Sequence, residues 1–143
     1  MVVEARLGLF RSFVFTDGVP EGIRRGRSGW LYVVGLPGGS GRVRYDGWRD
    51  RVEIESAAGG LEIRFRWRNT TFFWQGRTYR FVPSVWGRLA ILDETVPVVE
   101  GHTTWSGVWL EQVGPAFRAI QRELAVGLAK RAQAFASVGI GVF

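Results

Sequence analysis

The stretch Leu61-Glu62-Ile63-Arg64-Phe65-Arg66-Trp67-Arg68 alternates apolar and charged side chains without a break. A period of two sends successive side chains to opposite faces, so one face packs on a core and the other meets water. The pattern is that of a half-buried antiparallel strand. It recurs on both sides: Val52 and Ile54 alternate with Arg51, Glu53 and Glu55, and Tyr79 and Phe81 alternate with Thr78 and Arg80. Turn residues separate these segments at Asp17-Gly18, Gly35 to Gly41, Asp46-Gly47, Ala57 to Gly60, Asn69-Thr70, Gln75-Gly76 and Asp93-Glu94-Thr95. Strands are therefore expected near Ser12–Phe15, Trp30–Val34, Arg42–Tyr45, Arg51–Glu55, Leu61–Arg68, Thr71–Trp74, Thr78–Val82, Arg88–Leu92, Val96–Glu100 and Trp105–Val113. About ten short strands in one domain favour a barrel or a sandwich over any βαβ layout.

The end of the chain changes character. Gly114-Pro115 opens a segment rich in Ala, Leu, Arg and Gln, with proline placed where a helix begins, and the spacing predicts one helix over about 115–137. Leu124 to Ala129 is apolar or small on every side, as in a helix enclosed by protein. Lys130 and Arg131 follow immediately. An unpaired buried cation is costly, so either these two find carboxylates or the helix emerges there. No repeat or linker divides the chain. One domain is expected over 1–143, with strands from about 5 to 113 and the helix after them.

With 143 residues, 46% of them hydrophobic, the chain is too apolar for a disordered tail and long enough for one core. It has no cysteine, which excludes disulfides, thiolate metal sites and a cysteine nucleophile. Its single histidine, His102, cannot build a zinc centre alone and reads as a loop residue. No serine sits in a nucleophile elbow, and the Gly35 to Gly41 loop lacks the ending of a phosphate-binding P-loop. A non-enzymatic protein without a cofactor is expected. Glu4, Arg6 and Arg11 interrupt any secretory core, and the tail from Ala132 to Phe143 is shorter than the roughly 20 residues a spanning helix needs, so a cytoplasmic or peripheral membrane location is expected.

The net charge is +6, and every basic residue but Lys130 is arginine. Residues 59 to 90 carry six basic groups against one acidic, so the surplus sits mostly in the middle. Arg64, Arg66 and Arg68 share one strand face, and Arg77 and Arg80 join them if neighbouring strands align. Guanidinium forks match phosphate and carboxylate, which makes these five a candidate anion- or lipid-binding set. The same row also reads as a charged face that protects a strand from aggregation. The aromatic residues raise base stacking, but Phe65, Trp67, Tyr79 and Phe81 occupy the apolar phase of their strands, which favours core packing and makes nucleic acid an unlikely partner. Trp86, Trp105 and Trp109 cannot be phased by alternation.

A meander of short strands followed by one hydrophobic helix resembles the tubby C-terminal-like superfamily, which includes LURP-one-related proteins and phospholipid scramblases. The match runs through Phe72-Phe73-Trp74-Gln75-Gly76-Arg77-Thr78-Tyr79-Arg80-Phe81, then Trp86-Gly87-Arg88-Leu89, then Ile91-Leu92-Asp93-Glu94. The resemblance implies a mainly β fold, an antiparallel closed β-barrel of about ten to twelve short strands with the hydrophobic C-terminal helix through its centre, and a scaffold or membrane-associated role in which basic side chains meet an anionic membrane surface or an acidic protein partner. Two other functions compatible with the residues are a carrier of a small apolar ligand in the barrel lumen and a single-stranded nucleic-acid binding module.

Overall fold

The computed structural model describes residues 2–7, 12–33, 41–66, 69–82, 87–104 and 107–142, with side chains through 135. Twelve strands precede the helix: β1 Val3–Leu7, β2 Ser12–Thr16, β3 Val19–Arg25, β4 Leu31–Val33, β5 Arg42–Asp46, β6 Arg51–Ser56, β7 Gly59–Arg64, β8 Thr70–Trp74, β9 Arg77–Val82, β10 Gly87–Asp93, β11 Val96–Thr104 and β12 Gly107–Val113. A 3-10 segment, Pro115–Ile120, leads into α1, Gln121–Val142. Every paired strand is antiparallel, and the ladder runs β7-β6-β5-β4-β3-β2-β1-β12-β11-β10-β9-β8. The barrel is thus closed at β1–β12, where Val3 faces Leu110, and nearly closed at β7–β8. At that seam Trp74 packs beside Gly59, and the Arg66 N–H donates to Thr70 Oγ1 at 3.0 Å.

The expected alternation places the core. Leu61, Ile63 and Phe65 are buried while Glu62, Arg64 and Arg66 are exposed, and Val52, Ile54, Tyr79 and Phe81 point inward as read. Several boundaries differ. The strand expected over Leu61–Arg68 leaves the ladder after Arg64, with Trp67 and Arg68 outside the described residues. β1 begins before the expected start, and β3 was not foreseen, because Pro20 and Gly22 break its alternation. The helix is tighter at its start and longer at its end than 115–137, remaining helical to Val142.

Inside the wall, α1 is the filling. Leu124, Ala125, Val126, Leu128 and Ala129 are all buried, and the helix touches β1, β2, β11 and β12 on one side and β5 and β6 on the other. It is anchored at its start by Phe117, which lies edge-on to Tyr79 at 4.8 Å and to Phe72 at 6.1 Å. The Trp74 indole N–H donates to the Ala116 carbonyl at 2.7 Å, tying β8 to the same turn. Gly127 stands where the helix comes closest to the sheet: a Cβ there would be 2.6 Å from Val52 Cγ1.

Candidate anion-binding mouth

Three side-chain contacts fix the direction of the helix against β5. Glu123 packs on Gly41, Gly127 faces Val43 and Val52, and Arg131 reaches Asp50 in the turn after β5. Helix and β5 therefore advance together, and α1 leaves the barrel at the end that carries the β5–β6 turn. Because the strands alternate in direction, the β3–β4 connection and the ends of β7 and β9 lie at this same exit mouth.

Each of the two cations at the exit meets a different fate. Arg131 finds its carboxylate: Nε donates to Asp50 Oδ1 at 2.9 Å and Nη2 to Oδ2 at 3.2 Å. Its guanidinium also lies over the rings of Phe65 at 4.1 Å and Phe135 at 4.7 Å. The Tyr45 hydroxyl donates to the same Asp50 oxygen at 2.6 Å, and burial together with that carboxylate holds the phenol protonated. Lys130 has no carboxylate among the described residues. Among the described residues its ammonium meets Gln133 Oε1 at 3.5 Å, and burial followed by the nearby charge of Arg25 pushes its pKa down.

Around this exit, Arg25, Arg27, Arg49, Arg64, Arg66 and Arg88 are exposed. None of these six forms an ion pair among the described residues. The arginines of the neighbouring sheet face behave differently: Arg44 binds Glu53, and Arg51 is shared by Asp46, Glu53 and Glu62. Arg42 and Arg44 also cover the Trp30 ring at 4.0 and 4.6 Å, which closes that indole to a stacking partner. At the tip of the β5–β6 turn Trp48 is fully exposed, and its backbone N–H donates to Asp46 Oδ1 at 3.0 Å. Beside it an open depression of about 550 Å³ is bordered by Ser28, Asp46, Trp48 and Arg49 and by the ion-paired Arg44 and Arg51.

The five arginines singled out from the sequence do not form one cluster. Arg64 and Arg66 stand at the exit mouth, and Arg68 lies outside the described residues. Arg80 is in the middle of β9, opposite Thr71 and Leu92. Arg77 begins β9 at the opposite mouth, where Asp93 Oδ1 holds it at 2.9 Å. Trp48, Arg25, Arg27, Arg49 and Arg88 were missed. The only local signal for Trp48 is a large aromatic inside the turn run Asp46-Gly47-Trp48-Arg49-Asp50.

His102 is a correction: it sits within β11 and not in a loop. Its ring stacks on Trp109 at 5.0 Å, and Nδ1 lies 2.7 Å from Glu111 Oε1. Trp86, Trp105 and the loop from Gly35 to Ser40 lie outside the described residues. Among the described residues no group of three or more His, Asp or Glu side chains is placed to hold a metal ion, and no helix is long and apolar enough to cross a membrane. Compared with protein-family models, with curated proteins and with solved structures, the chain matches none.

Proposed function

We propose that the exit mouth docks the protein peripherally onto an anionic membrane surface, without catalysis. The observation that supports this reading best is a fully exposed Trp48 at the mouth where Arg25, Arg27, Arg49, Arg64 and Arg66 are exposed and form no ion pair among the described residues. Each basic side chain near such a surface contributes about 1 kcal/mol, and an indole settles at the headgroup level. Beyond Arg131 the helix continues for about 16 Å through a mostly apolar sequence that ends at Val142, a third feature suited to the interface. Membership of the tubby-like superfamily belongs to the same proposal, supported by the antiparallel barrel with a helix through it.

The alternatives are less well supported. A carrier needs an open lumen, and α1 fills it. A single-strand binder stacks successive bases on several aromatic faces beside its cations, whereas Phe65, Tyr79 and Phe81 are buried and Trp48 is the only fully exposed aromatic among the described residues. An acidic protein partner would use the arginines without requiring Trp48.

Co-sedimentation with vesicles tests the proposal. Wild-type protein is expected to pellet with phosphatidylserine vesicles and not with phosphatidylcholine vesicles. Arg64→Glu combined with Arg66→Glu should weaken partitioning by about tenfold or more, and Trp48→Ala by several-fold. Equal sedimentation with both vesicle types, unchanged in the double variant, would remove the membrane role and leave the barrel untouched.

A further inference from the structure

The outer wall of the barrel has a hole in it where β9, β10 and β11 run side by side. Val82 of β9, Arg88 and Ala90 of β10, and Glu100 and His102 of β11 point outward, while Leu89, Ile91, Val99 and Gly101 between them are buried. Ala90 pairs with Val82 on one side and with Glu100 on the other. A single methyl group thus stands among longer side chains, and a depression of about 130 Å³ lies over it. Val82, Ala90 and Gly101 give this depression an apolar lining, and Arg88, Glu100 and Glu111 supply its charge.

A bulge arranges the acidic side. Glu100 stands opposite Gln112 and Gly101 opposite Leu110, so Glu111 is the extra residue of β12. Like charges directly opposite each other destabilise a sheet, and the offset avoids that pairing while keeping both carboxylates on the cavity. Glu111 is supported from its other side by His102, whose Nδ1 lies 2.7 Å from Oε1 and whose ring stacks on Trp109. Arg88 is the diagonal neighbour of Glu100, a relation that starts the two side chains about 7–8 Å apart. Neither of them forms an ion pair among the described residues.

We propose that this depression binds a small zwitterion, a free α-amino acid with a short side chain. The ligand carboxylate meets the Arg88 guanidinium, its ammonium meets Glu100 and Glu111, and its side chain lies over Ala90 and Val82. Separate charges of both signs on one cavity suit a ligand that carries both, and each contact is a charge-assisted hydrogen bond. Size sets the class: sites for drug-sized ligands measure roughly 300–1,000 Å³, and this one is well below them. The site uses neither Trp48 nor Arg64 and Arg66, on which the membrane reading is tested, so the two readings fail independently.

His102 is the only histidine, so its ring gives one set of imidazole resonances, and its contact with Glu111 makes them a reporter of the cavity. L-alanine, titrated at fixed pH and ionic strength, is expected to shift them saturably with a Kd on the order of 1 mM. N-acetylalanine lacks the ammonium and alaninamide lacks the carboxylate, and each should bind about tenfold more weakly or worse. Arg88→Gln and Glu100→Gln should each weaken alanine binding by about tenfold. Ala90→Leu fills the depression without altering a charge and should abolish the shift; the residue is half-buried on the outer face, and circular dichroism checks that the variant folds. No saturable shift with alanine, an equal response to either one-charge analogue, or an undiminished response in Ala90→Leu overturns the site. If Ala90→Leu does not fold, an undiminished response in Arg88→Gln overturns it in the same way.

Discussion

Phe117→Ala should lower the stability of the fold by about 3–5 kcal/mol, the range for deleting a fully enclosed aromatic ring. The ring is wholly buried, edge-on to Tyr79 and Phe72, and it occupies the 3-10 turn that aims α1 into the barrel. Truncation removes its apolar burial and leaves a void between β8, β9 and the helix start, which the close-packed wall can fill only in part. A domain of this size is typically stable by about 5–15 kcal/mol, so the variant loses a large share of the total. Urea unfolding followed by tryptophan fluorescence should show a lower midpoint with an unchanged slope. Arg118→Ala, one residue along and exposed, should stay within about 0.5 kcal/mol of wild type. A loss below about 1 kcal/mol in Phe117→Ala would mean that the helix start is not seated in the wall.

Gly127→Leu should cost about 3 kcal/mol or more, up to failure to fold. The helix backbone here lies against β5 and β6, and the first added carbon would stand 2.6 Å from Val52 Cγ1 and 3.0 Å from Val43 Cγ2. Overpacking a tight core costs roughly 1–3 kcal/mol for a few methylenes, occasionally more, and leucine adds four carbons at a point where one already collides. The smaller variant Gly127→Ala makes the argument sharper through its sign. In an exposed helix, alanine is favoured over glycine by about 1 kcal/mol. Within the barrel the same change should destabilise, and Val52→Ala should restore part of the loss when combined with it. Chemical denaturation of the two single variants and the double variant measures this directly. A stabilised Gly127→Ala would place that helix face away from the sheet.

The fold was legible where alternation was regular. Leu61 to Arg66, Val52 with Ile54, and Tyr79 with Phe81 each declared a buried and an exposed face, and the unbroken small and apolar run Leu124 to Ala129 declared an enclosed helix. β3 was not legible, because Pro20 and Gly22 resemble turn residues and only the pairing of Phe13 with Gly22 and of Arg25 with Leu31 makes the segment a strand. His102 was misplaced for a related reason. Gly101 beside it looks like a turn, yet it lies at a bulge where the backbone meets that of Trp109 so closely that a Cβ would strike the Trp109 carbonyl.

The site was legible only in part. Parity along a strand tells which face a side chain takes and says nothing of which end of the barrel it reaches. Arg64 ends a strand that points to the exit mouth, whereas Arg77 begins one, so two residues with the same outward phase are separated by the height of the wall. The charge pair Lys130-Arg131 was visible as a question about partners. For Arg131 the answer depends on Asp50, which lies 81 positions away in sequence, and only the closed topology brings it to the helix.

The central claim is that α1 runs through the barrel as its filling, and the absence of native cysteine makes it directly measurable. Ala125 is fully buried on the helix and Ala119 is exposed on the preceding turn, so Ala125→Cys and Ala119→Cys each carry a single thiol at a defined depth. Labelled with a thiol reagent under native conditions, Ala119→Cys should react at the rate of an open peptide, and Ala125→Cys at least about a thousandfold more slowly, limited by unfolding of the barrel. Rates within about tenfold of each other would contradict the account, because they would put the helix in water.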